Sequence, residues 1–421
     1  MRDIKTKKIN FINDKILLVT VDISKDSHFG YCVAPNGQEV KPFKFSNDRS
    51  GFNSFWNKIL IAKNRFKLDK VIFGFESTSV YAEPLVHFLT GKPIRIVQVS
   101  PMHTKRVKEL VGNSPNKTDR KDPRVIADII RLGRFLSVIV PQGSAACLRQ
   151  LSHARERKVC ARTSFINQLE HLVSRVFPEF PKILGKITGK TAQYLLKNYG
   201  APGKFSFLDN KELGTAIRKI SRGRFKEEKA SKLISAAQRS IGINEGLQAM
   251  VMEIKQLIEQ IELCDKFIKD IEKEMKEELE KVSLSSNLLS IKGLGIVSVS
   301  GIIGEVGDFE KFGSQKEIIK LAGLNLFERS SGKFQSRHRI SKRGRSLLRK
   351  LLYFASINMI KKNGIMHDYY QKLLDRGVVK TKALVAVSRK LLRLVFAIAR
   401  DKSEYIVDYS VHSNYELKKA A

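Results

Sequence analysis

Two apolar runs that each stop on an acid constrain this chain more than any other feature. The run ILLVTVDIS carries its apolar stretch up to Asp22, and KVIFGF, Lys70 to Phe75, ends on Glu76. Continuous apolar runs of this length read as strands covered on both faces. A carboxylate inside such a strand is costly, so a buried strand rarely carries an acid at its end without a use for it. Between the runs, His28 to Ala34 and Glu39 to Phe45 read as two strands joined through Pro35-Asn36-Gly37, an Asn-Gly hairpin turn. A helix over about 50–61 follows, with Phe52, Phe55, Trp56, Ile59 and Leu60 on one side. After Glu76 the pattern predicts a helix near 81–89, a strand at 94–99, a helix near 101–111 and a loop over 112–117.

Three antiparallel strands followed by alternating helices and strands is the order of the ribonuclease-H-like α/β fold. In that architecture the ends of the first and fourth strands lie side by side, which brings Asp22 next to Glu76. The stretch Lys117-Thr118-Asp119-Arg120-Lys121-Asp122 then places two more carboxylates three residues apart at the start of a helix. At that spacing Asp119 and Asp122 share one face. Carboxylates with Lys117, Arg120 and Lys121 between and beside them fit a hard-cation site that approaches a phosphodiester. Taken singly, each acid is better explained as a helix cap or a solvated carboxylate. As a set of four, they favour the functional reading.

The middle of the chain is helical. Residues 144–176 trace an imperfect apolar stripe (Leu148, Leu151, Ala154, Val159, Ser164, Leu169, Leu172, Val176) among many arginines. Residues 177–203, with Pro178, Pro181, Gly185, Gly189, Gly200 and Gly203, read as short helices and loops, and 210–240 as basic helices. From Ile243 to Val282, apolar residues including Leu247, Val251, Ile254, Ile258, Ile261, Ile268, Met275 and Leu279 fall on a four-three spacing broken at Asp265 and Glu272. About five heptads of this kind make either a self-associating coiled coil or a long hairpin against the chain's own helix at 144–176.

After Ser283, Ile291-Lys292-Gly293-Leu294-Gly295-Ile296 and the small apolar run behind it read as a helix-hairpin-helix, whose turn offers backbone N–H groups to a phosphate. The segment 329–350 holds nine cations (Arg329, Lys333, Arg337, Arg339, Lys342, Arg343, Arg345, Arg349, Lys350) and no acid, the composition of a phosphate-backbone grip. It also presents Ser330-Ser331-Gly332; spacing alone gives these serines no role beyond polar filler.

The formal charge of +35, from 77 Lys and Arg against 42 Asp and Glu, points to a polyanionic partner, nucleic acid above all. Cys32, Cys147, Cys160 and Cys264 are far apart and form no Cys-x-x-Cys pair, so they read as reduced core thiols rather than a zinc ribbon or disulfide framework. No apolar leader opens the chain and no run of about eighteen apolar residues occurs, which predicts a cytoplasmic, nucleoid-associated protein without a membrane partner.

Taken jointly, these residues resemble the DEDD-type insertion-sequence transposases, which include the Piv-type DNA invertases and the bridge-RNA-guided recombinases. The resemblance rests on Val21-Asp22-Ile23, Phe75-Glu76-Ser77-Thr78 with Tyr81, and Lys117 to Asp122. In the C-terminal part it rests on Ile291 to Gly295, Leu321-Ala322-Gly323-Leu324, Ser331-Gly332-Lys333, and Ile340 to Gly344 with Leu348-Arg349. The resemblance implies a RuvC-like domain in which Asp22, Glu76, Asp119 and Asp122 bind Mg2+, and a C-terminal domain in which Ser331, rather than Ser330, attacks a DNA phosphodiester. It also implies a composite site built from two subunits, hence a dimer or tetramer, and a bridge RNA as guide. Pro123, Asn325-Leu326 and Arg345 depart from the family's usual residues, which leaves guide use and target choice open.

The expected organisation is therefore α/β plus α: a RuvC-like catalytic domain over 1–140, a helical region over 141–283 with the coiled coil at 243–282, a mostly helical transposase domain over 284–400, and a tail over 401–421. Two rivals stand beside the serine recombinase. One is a resolvase or invertase in which metal-activated water cuts DNA, and the other is a nucleic-acid-binding protein without catalysis.

Overall fold

A computed structural model describes residues 13–76, 80–111, 122–327, 330–331, 334–335 and 339–406. The chain divides into two compact units, residues 1–139 and 140–421.

In the first unit, β1 (Ile16–Asp22), β2 (Ser27–Val33) and β3 (Glu39–Ser46) form an antiparallel meander. The turn after β2 closes through Ala34 N–H donating to the Gln38 carbonyl at 2.8 Å, with Gly37 at φ +89°, the left-handed region that Asn-Gly turns require. Helix α1 (Arg49–Arg65) starts where the Asp48 carboxylate accepts the Gly51 N–H at 2.7 Å. It buries Phe52, Phe55, Ile59 and Ala62; Leu60, placed on that face by the sequence pattern, is instead 38% exposed, because the buried arc is narrower than the apolar one. Then come β4 (Lys70–Glu76), α2 (Ala82–Thr90), β5 (Arg95–Val99), α3 (Pro101–Val111), α4 (Asp122–Arg131) and a short β6 (Leu136–Ser137). Among the described residues these strands make one sheet in the order β3-β2-β1-β4-β5-β6, with β1, β4 and β5 parallel. This is the ribonuclease-H-like order read from the sequence, extended by β6, a pair of residues too short for any periodicity to reveal.

Strand alternation sorts the core into two layers. Leu17, Val19, Val21 and Phe73 are buried on one face, where Phe73 meets Phe55 of α1 at 6.1 Å between ring centroids. Ile16, Leu18, Ile72 and Val97 face α4 and pack with Val125, Ile126, Ile129 and Ile130. Gly74 lets α4 sit close: a Cβ there would come within 2.1 Å of Ile130 Cδ1. Gly74→Ala is expected to cost about 1–3 kcal/mol as overpacking. The check is thermal unfolding of the variant, with a lowered midpoint expected.

The second unit opens with α5 (Gly143–Val176), a single helix of 34 residues. Short helices α6 (Phe180–Leu184), α7 (Lys190–Asn198) and α8 (Pro202–Phe205), then α9 (Asn210–Ile220) and α10 (Glu227–Gln238), close over the C-terminal half of α5. Phe177, Phe180 and Phe205 meet there with centroids 5.6–6.1 Å apart. Helix α11 (Leu247–Glu280) carries the four-three stripe. It runs antiparallel along α5, burying Met250, Ile254, Leu257, Ile258 and Ile261 in the core that α5 shares with the short helices. The two acids that break its heptads explain themselves here. Glu272 pairs with Arg155 at 2.7 Å and Asp265 with Arg162 at 2.5 Å, both arginines on α5. Of the two readings of the stripe, the long intrachain hairpin is the one it serves.

Helices α12 (Ser285–Leu289) and α13 (Ile296–Val306) flank the turn that holds Gly293 and Gly295, where the sequence predicts a helix-hairpin-helix. Helix α13 is buried from Val299 to Val306 and packs on α5 through Gly304, where a Cβ would lie 2.5 Å from the Arg149 backbone nitrogen. Helix α14 (Gln315–Leu321), strands β7 (Leu326–Phe327), β8 (Ser330–Ser331), β9 (Phe334–Gln335) and β10 (Arg339–Ile340), and helices α15 (Ser346–Met359), α16 (His367–Asp375) and α17 (Lys380–Asp401) complete the unit. All four cysteines are free. Cys32 and Cys264 are buried, whereas Cys147 and Cys160, expected in a core, are exposed on α5 because the arginine-rich helix buries only a narrow stripe. Among the described residues no helix is long and apolar enough to cross a membrane.

Candidate active site

Strands β1 and β4 run parallel and in step, with Thr20 opposite Gly74 and Val21 opposite Phe75. The next residues, Asp22 and Glu76, therefore end neighbouring strands at one level and project to the same side. By alternation that side is the one carrying Leu18, Thr20, Ile72 and Gly74, which α4 covers. Both acids are half-buried at the sheet's edge.

Helix α4 is tied to this edge. The Thr20 hydroxyl, wholly buried, donates to the Pro123 carbonyl at 2.6 Å, holding the first turn of α4 against β1. Asp122 opens that turn and is 9% exposed. Its Oδ2 accepts from Lys108 Nζ of α3 at 2.5 Å, so the carboxylate already sits beside a cationic group. Thr20 was legible as a polar residue inside an apolar strand; Lys108 was one cation among several on a predicted helix and carried no distinguishing signal.

Asp22, Glu76 and Asp122 thus come from two adjacent strand ends and the helix packed on their shared face. Hard carboxylate oxygens are the donors a divalent cation such as Mg2+ takes, so the residue types fit. Among the described residues, however, no group of three His, Cys, Asp or Glu side chains is assembled as a metal site. Asp119, with Lys117, Arg120 and Lys121, lies outside the described residues.

The second candidate centre lies in the other unit. Strands β7 and β10 pair with Phe327 opposite Arg339, and β8 and β9 pair with Ser331 opposite Phe334. Ser330 and Ser331 thus belong to a two-stranded element, while Arg329, Gly332, Lys333 and Arg337 lie outside the described residues. Where this stretch leaves the helices it is clamped. Ser341 N–H donates to the Asn325 carbonyl at 2.8 Å and Lys342 N–H to the Gly323 carbonyl at 3.0 Å. The Ser341 hydroxyl also bonds Asn325 Oδ1 at 2.5 Å. The two glycine-bearing motifs cross here: a Cβ on Gly344 would fall 2.2 Å from the Leu321 carbonyl oxygen, and Gly323 adopts φ +66°.

The cations of this segment divide. Arg339, Lys342 and Arg343 are exposed, as a phosphate grip requires. Arg349 instead donates to the Ala322 carbonyl at 2.9 Å, and Arg345 turns inward to Glu305. Glu305 on α13 is 1% exposed and sits among His153 Nε2 at 2.7 Å, Arg149 at 3.7 Å and Arg345 at 3.9 Å. Burial, then the neighbouring Arg149, push the Arg345 guanidinium down to about 10, still protonated at neutral pH. Spacing along the chain cannot tell such an inward arginine from a surface one. Glu305→Ala would strand Arg149 and Arg345 around an apolar gap, and the expected loss is about 3–5 kcal/mol of stability. Chemical denaturation measures it; a loss near zero contradicts the pairing.

The turn between α12 and α13 leaves Lys292, Gly293 and Gly295 exposed. Gly293, at φ +100°, lies against α15, where a Cβ would approach Met359 Cγ to 2.9 Å.

Comparison with known proteins matches two separate stretches of the chain. Residues 19–178 match a family model described as transposase, of the IS110 DEDD type. Residues 285–371 match one described as transposase, IS116/IS110/IS902 family. The chain is 25% identical to the insertion element IS116 uncharacterized 44.8 kDa protein of Streptomyces clavuligerus, over 91% of this chain and 94% of the relative. It is 22% identical to the insertion element IS900 uncharacterized 42 kDa protein of Mycobacterium paratuberculosis, over 91% of this chain and 96% of the relative. Similarity to the transposase for insertion sequence element IS1111A of Coxiella burnetii is 24% identity over 75% of this chain and 74% of the relative.

Proposed function

Because the chain belongs to the IS110/IS116 family of transposases, enzymes that cleave DNA strands and transfer them, we propose that it cuts DNA with Ser331 as nucleophile and a four-acid Mg2+ site as electrophilic partner. The observation carrying this reading is the alignment of Asp22 and Glu76 at adjacent strand ends, with Asp122 opening the helix hydrogen-bonded to that strand.

Asp22, Glu76, Asp119 and Asp122 would hold the cation. When bound, it polarises the scissile phosphate and offsets the charge that builds on it. The Ser331 oxygen attacks phosphorus, forming the Ser O–P bond as the P–O3′ bond breaks. The 3′ oxygen leaves as a hydroxyl, taking up a proton, and the serine proton is released. The 5′ phosphate stays on the enzyme as a phosphoserine ester, ready for a 3′ hydroxyl to reverse the step on a new strand. Arg339, Lys342 and Arg343 grip the flanking phosphates, with Arg329, Lys333 and Arg337 from the same segment and Lys117, Arg120 and Lys121 beside the acids.

A guide RNA and a homo-oligomer, dimer or tetramer, belong to the same proposal. The charge of +35 supports a second polyanion beside the DNA. Met252 and Leu263, two exposed apolar residues of α11, support a second copy. Sedimentation of the purified protein tests the oligomer, and sequencing of copurifying nucleic acid tests the guide.

Covalent trapping tests the core of the reading. A denatured reaction with end-labelled DNA should yield a protein–DNA adduct that maps to Ser331 by peptide mass spectrometry. Cleavage with no adduct would assign the attack to water.

A further inference from the structure

Helix α17 presents Arg389, Lys390 and Arg393 to a cavity of about 600 Å³ that it shares with α16 and with Tyr405 just beyond its own end. Met366 and Leu394 line it with apolar surface, and Tyr369 of α16 forms a wall, with Lys390 Nζ 4.3 Å from its ring centroid. Among the described residues no carboxylate lines this cavity. Three cations with no facing carboxylate make this cavity electropositive. Arg389 and Arg393 stand one helical turn apart, where like charges repel. Burial, and then that neighbouring guanidinium, hold Arg389 below its usual range. The Nε of Arg389 is buried and has no hydrogen-bond partner. A buried donor without an acceptor is destabilising, so the protein itself leaves this guanidinium poorly satisfied.

The cavity lies within the roughly 300–1,000 Å³ range of pockets that enclose a small ligand. Its inventory is cations for phosphate, an aromatic face for a π-system and apolar surface around both. That inventory matches one unpaired nucleotide and not an acidic peptide, which would leave the tyrosine wall unused. Duplex nucleic acid keeps its bases stacked inward, whereas single strands offer them to aromatic side chains for stacking.

We infer that the α16/α17 cavity binds a single unpaired nucleotide of a nucleic-acid strand, its phosphate on Arg389 and Arg393 and its base against Tyr369. The site uses none of the four acids and neither serine, so it stands or falls apart from the catalytic reading.

The test is site-directed photocrosslinking with the full chain. Single-stranded oligonucleotides carrying one 4-thiouridine or 4-thiothymidine are irradiated with the protein, and adducts are mapped by mass spectrometry. The expected adduct lies on the peptide containing Tyr369 or Tyr405. Arg389→Ala with Arg393→Ala should lower its yield at least tenfold, while Ser331→Ala and Asp22→Ala leave it intact. Lys390→Glu, at an exposed position, gives a second reading should the double variant fail to fold. Crosslinking by RNA and DNA alike supports recognition of phosphate and base. Crosslinking by only one of them also supports the site and names its source. Adducts mapping elsewhere, or yields unchanged in the arginine and Lys390 variants, would overturn the inference.

Discussion

Ser331→Ala is expected to lose DNA strand cleavage by a factor on the order of 10⁶, the scale on which removal of a covalent nucleophile acts in an enzyme built around one. The substitution deletes one oxygen from a strand, β8, whose backbone partner is Phe334, so the paired element keeps its hydrogen bonds. Binding to DNA rests on charge spread over the whole chain and should change by less than about twofold, because no phosphate contact is removed. Ser330→Ala is the internal comparison. The resemblance assigns the attack to Ser331 and leaves its neighbour no chemical part. Ser330→Ala should therefore retain cleavage and adduct. A Ser331→Ala protein that still cleaves at an appreciable rate identifies water as the attacking group.

The second large effect concerns the acids. Asp22→Asn and Glu76→Gln each keep size and hydrogen-bonding shape while removing a negative charge at the strand edge. Loss of the several kcal/mol of charge stabilisation that a bound metal supplies corresponds to about three orders of magnitude or more in rate. Both variants should fold as the parent does, since neither residue is in the buried core. Removal of divalent ions by chelation should reproduce the loss in the parent protein, and restored Mg2+ should rescue the parent but not the variants. Cleavage by Asp22→Asn at the parental rate in Mg2+ would detach the strand-end acids from the chemistry.

Much of the first unit was legible because its strands are local objects. ILLVTVD and KVIFGF announce buried strands by continuity, and their terminal acids mark where burial stops. The Asn-Gly turn fixed the first hairpin for the same reason: the information sits in neighbouring residues. What escaped detection depends on residues distant along the chain. Asp265 and Glu272 read as defects in a heptad repeat until Arg162 and Arg155, more than a hundred positions away, stood opposite them. Arg345 and Arg349 read as part of a phosphate grip, although their guanidinium groups are engaged by Glu305 and the Ala322 carbonyl. Lys108 on Asp122, and the α16/α17 cavity with its three cations, follow from tertiary packing that no periodicity encodes. At the site itself, order along the chain sufficed to pair Asp22 with Glu76, while the role proposed for Ser331 came from resemblance and not from spacing.

Iron-directed backbone cleavage tests the convergence of the acids most directly. Fe2+ substituted for Mg2+ generates hydroxyl radicals that cut the polypeptide only within a few ångströms of the bound ion. Cuts clustered at residues 20–24, 74–78 and 117–124, and suppressed by excess Mg2+, are the predicted outcome. Cuts confined to one of these segments, or dispersed over the chain and indifferent to Mg2+, would contradict a shared cation site.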